Sequence, residues 1–186
     1  MFDQNLLNQN WIDFYNSQPE VGRLRHMFWL RCSGYRLLER IDLNERVLDV
    51  GCGRNPFKGR LPNLVGIDPA TDEADIKVTL QDYQTTELFD IILCLGSIQY
   101  GDMAFVRSQV AKVVSLLETT GRIYWRSNPY INSYSPKING KGFVWDQFIH
   151  NNLAAEFGFQ VTDFQEEYID PEIPTTKKYF AEWRRI

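Results

Sequence analysis

The sequence predicts an α/β fold around a mostly parallel sheet, and three features carry that expectation. Short runs rich in Val, Ile and Leu follow one another from residue 47 with apolar residues on both faces, as strands covered by helices require. The first run ends directly in a turn with two glycines one residue apart, Gly51 and Gly53. The last two runs are joined by a loop carrying Pro171 and Pro174 rather than by a helical pattern, so they are expected to pair antiparallel.

In chain order, Leu6, Leu7, Trp11, Ile12, Phe14 and Tyr15 recur at helical spacing, and Met27, Phe28, Leu30, Tyr35, Leu37, Leu38 and Ile41 form a second set. A break near Ser17-Gln18-Pro19 divides them into two helices. Strands are expected over 46–50, 64–67, 76–80 and 89–95, and a helix over 103–118 with Phe105, Val106, Val110, Val113 and Leu117 on its apolar face. Gly121 ends that helix, and 122–126 reads as a fifth strand. A helix over 145–157 stops at Gly158, and strands over 160–164 and 178–183 close the chain.

With 186 residues the chain suits one domain, 1–186, with helical residues 1–42 ahead of a sheet-bearing core at 43–186. Its 44% hydrophobic content lies outside the disordered range, so a packed core is expected throughout. No apolar run reaches membrane-spanning length and the opening residues lack a signal-peptide pattern, so the expected compartment is the cytoplasm, with no membrane partner. Cys32, Cys52 and Cys94 are odd in number and far apart; neither a disulfide framework nor a metal site can be built from them. A net charge of −4 gives no broad basic surface for a nucleic acid backbone, although neither a nucleic acid nor a protein substrate is excluded. The basic clusters at Arg23-Leu24-Arg25-His26 and Arg184-Arg185 read as solvated faces.

The informative segment is Val47-Leu48-Asp49-Val50-Gly51-Cys52-Gly53. Paired glycines let main chain approach a ligand more closely than side chains allow. About fifteen residues on, the second strand ends in Asp68, a carboxylate beside the first strand's tip and suited to the hydroxyls of a ribose. A third carboxylate, Asp82, follows the third expected strand.

Leu48-Asp49-Val50-Gly51-Cys52-Gly53 resembles the first motif of the class I S-adenosylmethionine-dependent methyltransferases, an acidic residue followed by Gly-x-Gly. The resemblance runs over roughly residues 40 to 186. Gly66-Ile67-Asp68 is similar to the ribose-binding position, Gln81-Asp82-Tyr83 to the adenine-binding position, and Phe89 to Ser97 to the fourth strand and its exit. It implies a Rossmann-like, mostly parallel seven-stranded sheet of order 3-2-1-4-5-7-6 with the last strand antiparallel, S-adenosylmethionine as cofactor, and methyl transfer to a small-molecule acceptor. Carried over, the cofactor residues are Asp49, Gly51, Cys52, Gly53, Asp68, Pro69, Asp82, Tyr83, Gly96 and Ser97, with Gly51 and Gly53 at its aminoacyl part and Gly96-Ser97 near the sulfonium methyl.

Methyl transfer from a sulfonium needs alignment more than covalent help, so no triad or metal is expected. Ser97, Tyr100, Asn128 and His150 are the candidates for handling the acceptor. For His150 a structural role in its helix stands beside the role of base. The segment 127–136 reads either as an acceptor pocket wall or as a surface loop, and Trp11 and Tyr15 either as a lid over the cofactor or as core. Cys94 reads as a buried, inert thiol.

Two departures from the motif matter. Asn55 stands where a third glycine is common, a residue that tolerates a left-handed backbone. The connections between the early strands are too short for full helical crossovers, so one sheet face is expected to be thinly covered, by the N-terminal helices or by a second subunit of a homodimer. The same shortness supports an alternative, a domain that binds cofactor or a protein partner without turnover.

Overall fold

The computed structural model describes residues 3–17, 34–129, 142–168 and 177–186. Its sheet forms around β1 (Val47–Val50), which is buried on every residue and pairs in parallel with β2 (Leu64–Ile67) and β3 (Phe89–Leu95). β4 (Leu117–Ser127) continues the parallel set beside β3, and β6 (Lys177–Arg185) runs antiparallel to both β4 and β5 (Phe159–Tyr168). The order is β2-β1-β3-β4-β6-β5, a six-stranded sheet.

The expected order therefore holds with one strand removed. Residues 76–80 form no strand; Ile76 makes a single bridge to Ile67. The reason lies at the outer edge of β2. Asp75 turns its carboxylate onto the Gly66 N–H at 2.8 Å, while the Asp75 and Ile76 N–H groups both donate to the Gly66 carbonyl. A side chain thus takes the hydrogen bond a ladder would need, and the chain leaves the edge, burying Leu80 and Tyr83 in the core instead.

Helices α1 (Gln4–Ser17) and α2 (Tyr35–Arg40) precede the sheet; the rest of the second expected N-terminal helix lies outside the described residues. α3 (Met103–Ser115) is capped by Asp102, whose carboxylate accepts from the Phe105 N–H, and it buries Val106, Val110 and Val113 at helical spacing. It ends three residues earlier than expected because β4 already begins at Leu117, taking Gly121 into the strand rather than into a helix stop. α4 (Gln147–Glu156) is capped in the same way by Asp146, and Gly158, at a φ of 79°, turns the chain into β5.

The two sheet faces are covered differently. On one, α3 and α4 pack on Leu48, Ile92, Ile123 and a cluster of three tryptophans, with Trp125 4.7 Å from Trp183 and 5.2 Å from Trp145 between ring centroids. On the other, the connection from β1 to β2 consists of turns alone, as its length requires. Phe57 and Leu61 from that connection, with Leu37 of α2 and Ile41 at its end, cover Val47, Ile91, Leu93, Tyr124 and Phe180. Towards β5 the cover becomes charged: Arg36 and Arg40 lie over the Phe180 ring at 4.8 and 5.6 Å, and Arg40 reaches Asp163 and Glu182. Two large side chains thus do the work of a crossover helix.

Phe57, only 2% exposed, is the larger of the two. Phe57→Ala is expected to destabilise the protein by about 3–4 kcal/mol, the range of a core aromatic truncation, measured by urea denaturation. A loss below about 1 kcal/mol would show that this face does not rely on it.

Candidate functional site

The parallel strands β1, β2 and β3 all deliver their C-terminal ends to one rim of the sheet, where open α/β sheets hold ligands. The turn after β1 repeats a left-handed backbone at alternate residues: Gly51 at φ 65°, Gly53 at 57° and Asn55 at 54°. Asn55 therefore takes the conformation expected of it, and it is held there by donating from Nδ2 to Asp75 at 3.0 Å. Its side chain lies so close to Gly66 that a Cβ on that glycine would stand 2.7 Å from Nδ2. Gly51 is bare for a similar reason, since a Cβ there would stand 2.5 Å from the Cβ of Ser97.

Two carboxylates sit beneath this turn. Asp68 is buried and accepts from the Gly53 N–H at 3.0 Å and from the Ala70 N–H at 2.8 Å, one bond to each oxygen, which ties the tip of β2 to the glycine turn. Burial raises its pKa, and those two N–H groups hold the rise back. Asp49 is 3% exposed, and its carboxylate accepts no hydrogen bond from the described residues. Burial pushes its pKa up to about 7; the positive charge of Arg126 opposes the rise and the negative charge of Asp68 adds to it. Arg126, at the end of β4, donates to the Leu95 carbonyl at 2.8 Å. The sequence reading passed over it, although a lone arginine in the apolar run Ile123-Tyr124-Trp125-Arg126 was a usable signal.

The exit of β3 forms the facing side. Gly96 has a φ of 100°, and the Ser97 Oγ is buried with no hydrogen-bond partner among the described residues. Tyr100 presents its ring edge to Trp11 of α1 with centroids 6.4 Å apart, and Trp11 lies 5.9 Å from Tyr15. Tyr15 in turn rests on the glycine turn: its hydroxyl would stand 2.8 Å from a Cβ on Gly53, and the Arg54 guanidinium lies 5.7 Å from its ring centre. Burial and the nearby Asp68 push the Tyr15 phenol up, so it stays protonated. Helix α1 thus packs against the strand tips with Trp11 and Tyr15 as its contact residues.

The remaining expected site residues have varied surroundings. Asp82 is exposed and accepts from the Thr79 hydroxyl at 2.7 Å, and the Tyr83 ring is packed in the core; both follow a segment that forms no strand. His150 is fully buried behind β4, tilted against Trp145 at 4.7 Å. Its Nδ1 accepts from the Trp183 Nε1–H at 3.2 Å, so the ring proton sits on Nε2 and is donated to the Ser127 hydroxyl at 2.9 Å. Burial pulls its pKa down to about 3, and the neutral ring serves as a core tie rather than a base. Cys52 and Cys94 are buried thiols raised by burial, and Pro69 is half-buried beside Asp68. Asn128, just past β4, donates to Gln99 and accepts from Lys178 at the start of β6. Residues 130–136 of the expected acceptor loop lie outside the described residues.

No family model matches the chain, and no curated protein matches its sequence. Solved structures do match its fold. The 1,6-didemethyltoxoflavin-N1-methyltransferase of Burkholderia thailandensis, crystallised with 1,6-didemethyltoxoflavin and S-adenosylhomocysteine, superposes with a TM-score of 0.78 at 14% identity, over 97% of this chain and 88% of that one. A chain from the complex of the Haloferax volcanii Trm112 methyltransferase activator matches at 0.71 and 12% identity, over 94% and 97%. The N-methyltransferase NodS of Bradyrhizobium japonicum, in complex with S-adenosylhomocysteine, matches at 0.63 and 17%, over 88% and 86%. The fold is that of the class I S-adenosylmethionine-dependent methyltransferases.

The buried Asp49 makes stability depend on pH. Its folded pKa lies near 7, above the unfolded value of about 4, so its contribution is complete below about pH 4 and is lost as the pH rises through about 7. Asp49→Asn is expected to remove that downward slope and to stabilise the ligand-free protein at about pH 8 by on the order of 2 kcal/mol, read from denaturation curves across the range.

Proposed function

We propose that this chain is an S-adenosylmethionine-dependent methyltransferase acting on a small-molecule acceptor. The observation that carries the reading is the joining of Gly51, Gly53, Asp49 and Asp68 at one strand rim, in a fold otherwise matched by methyltransferases. When bound, the cofactor would supply an electrophilic methyl group on a sulfonium.

The residues present fit such a group. The bare main chain at Gly51 lets Ser97 of the β3 exit pack directly against the turn, and the Ser97 Oγ is a buried polar atom with no partner among the described residues, one a ligand could satisfy. The cofactor carries an ammonium and a sulfonium, and Asp49 offers a carboxylate that the described residues leave without a hydrogen bond. Asp68 uses one lone pair of each oxygen on the main chain and keeps the others for ribose hydroxyls. Trp11 and Tyr15 would close α1, and with it residues 1–42 as a lid, over the site to exclude water, leaving the acceptor to enter beside Ser97 and Tyr100. Proton removal is needed only for an acceptor that reacts from a protonated form.

A second reading, a domain that binds cofactor or partner without turnover, draws on the short connections between the early strands and on the missing strand over 76–80. Assay of homocysteine-nucleoside release with a pool of acceptors separates the two, since only the first reading yields product.

Calorimetry with S-adenosylhomocysteine tests the common ground. Binding is expected in the wild type, weakened about tenfold or more in Asp68→Asn, whose fold is checked by circular dichroism. Because Asp49 ionises near pH 7, affinity for this ligand, whose ammonium would meet that carboxylate, is expected to rise between about pH 6 and about pH 8, and Asp49→Asn to flatten that rise. Absence of binding at millimolar ligand would remove the proposal.

A further inference from the structure

Beside the exit of β3 a chain of four polar side chains crosses the sheet rim. Lys178 Nζ donates to Asn128 Oδ1, Asn128 Nδ2 donates to Gln99 Oε1, and Gln99 Nε2 donates to the Tyr100 hydroxyl oxygen at 3.2 Å. The polarity of the whole chain follows from its first member. An ammonium has donors and no acceptor, so Asn128 must turn its carbonyl to Lys178 and its amide hydrogens away. Gln99 must then meet those hydrogens with its own carbonyl, which leaves its NH2 for Tyr100. The Tyr100 oxygen is thereby used as an acceptor, and what it has left to offer is its proton.

Two further facts keep this arrangement fixed. The main chains of Gln99 and Asn128 are pinned by the same segment, Phe143 N–H donating to Gln99 O at 2.7 Å and Trp145 N–H to Asn128 O at 3.0 Å. Burial pushes the Tyr100 phenol up to about 12, so the proton is present at neutral pH. Tyr100 stands three residues past Ser97 and against Trp11, at the entrance the acceptor would use.

We infer that the methyl acceptor presents a hydrogen-bond-accepting atom, an oxyanion, carbonyl oxygen or aromatic ring nitrogen, to the Tyr100 hydroxyl, and that Lys178 is the positioning residue that sets this preference. The inference rests on the methyltransferase reading. A protonated amine at the same place would face a donor and be disfavoured, whereas an anion gains from the cation at the far end of the relay. Lys178 acts through Asn128 and Gln99; without it both amides are free to reverse, and Tyr100 becomes able to accept.

The test uses full-length protein saturated with S-adenosylhomocysteine and two probes of similar shape and opposite charge, benzoate and benzylammonium, with affinities from ligand-observed NMR titration. The wild type is expected to prefer benzoate by about fivefold or more, the range of one charge-assisted hydrogen bond. Tyr100→Phe is expected to abolish the preference, Lys178→Met to reduce it to within about twofold, and Lys178→Arg to retain it, with S-adenosylhomocysteine affinity unchanged in all three. Equal or tighter binding of benzylammonium, binding of neither probe, or a preference that survives Lys178→Met overturns the inference. Failure of the wild type to bind S-adenosylhomocysteine is a separate result, which overturns the methyltransferase reading and this one with it.

Discussion

The structure turns on the bond between the Asp68 carboxylate and the Gly53 N–H. It joins the tip of β2 to the turn after β1, and the second oxygen of the same carboxylate fixes the chain beyond β2 through Ala70. A carboxylate receiving main-chain hydrogen bonds is a stiff joint, and here it holds the backbone in the left-handed conformation that exposes Gly51. It acts together with the Gly51 and Cys52 N–H groups, which both donate to the Ile67 carbonyl, to fix the turn on which Tyr15 packs.

Its cost falls on Asp49. Two carboxylates share a dry corner of the rim with one guanidinium, Arg126, and the deeper of the two is left with a pKa near neutrality. Such an arrangement leaves unfavourable electrostatics in the ligand-free protein, which on the proposed reading the positive groups of the cofactor would relieve. The neutral His150, by contrast, lies sealed among Trp125, Trp145 and Trp183, where it ties α4 to β4 and β6 and keeps the far side of the sheet rigid.

The short connections have a physical solution that needs no helices. Asp75 and Ile76 blunt the outer edge of β2, and Phe57 and Leu61 cover the face that a crossover helix would occupy. Further along that face the cover passes to paired charges, Arg40 with Asp163 and Glu182, and Arg122 with Glu45. Among the described residues the sheet thus has one face packed by α3 and α4 and the other by the short α2, loop side chains and ion pairs.

What the sequence determined by itself was local in origin. Apolar runs of strand length and glycines at strand exits act over a few residues, and they were enough to place most strands, the antiparallel closing pair and Asp68 beside the glycine turn, whereas the strand order came with the resemblance carried by Leu48 to Gly53. The fate of 76–80 was decided by tertiary structure, because a strand exists only if its neighbour's edge is free, and Asp75 had already taken Gly66. Tertiary structure also decided that Tyr83 and His150 are buried, since exposure is a property of the packed whole. Only the fold could bring Lys178 to Asn128 and Gln99: residues from three separate segments carry no shared pattern along the chain, and their meeting is set by which strands lie side by side.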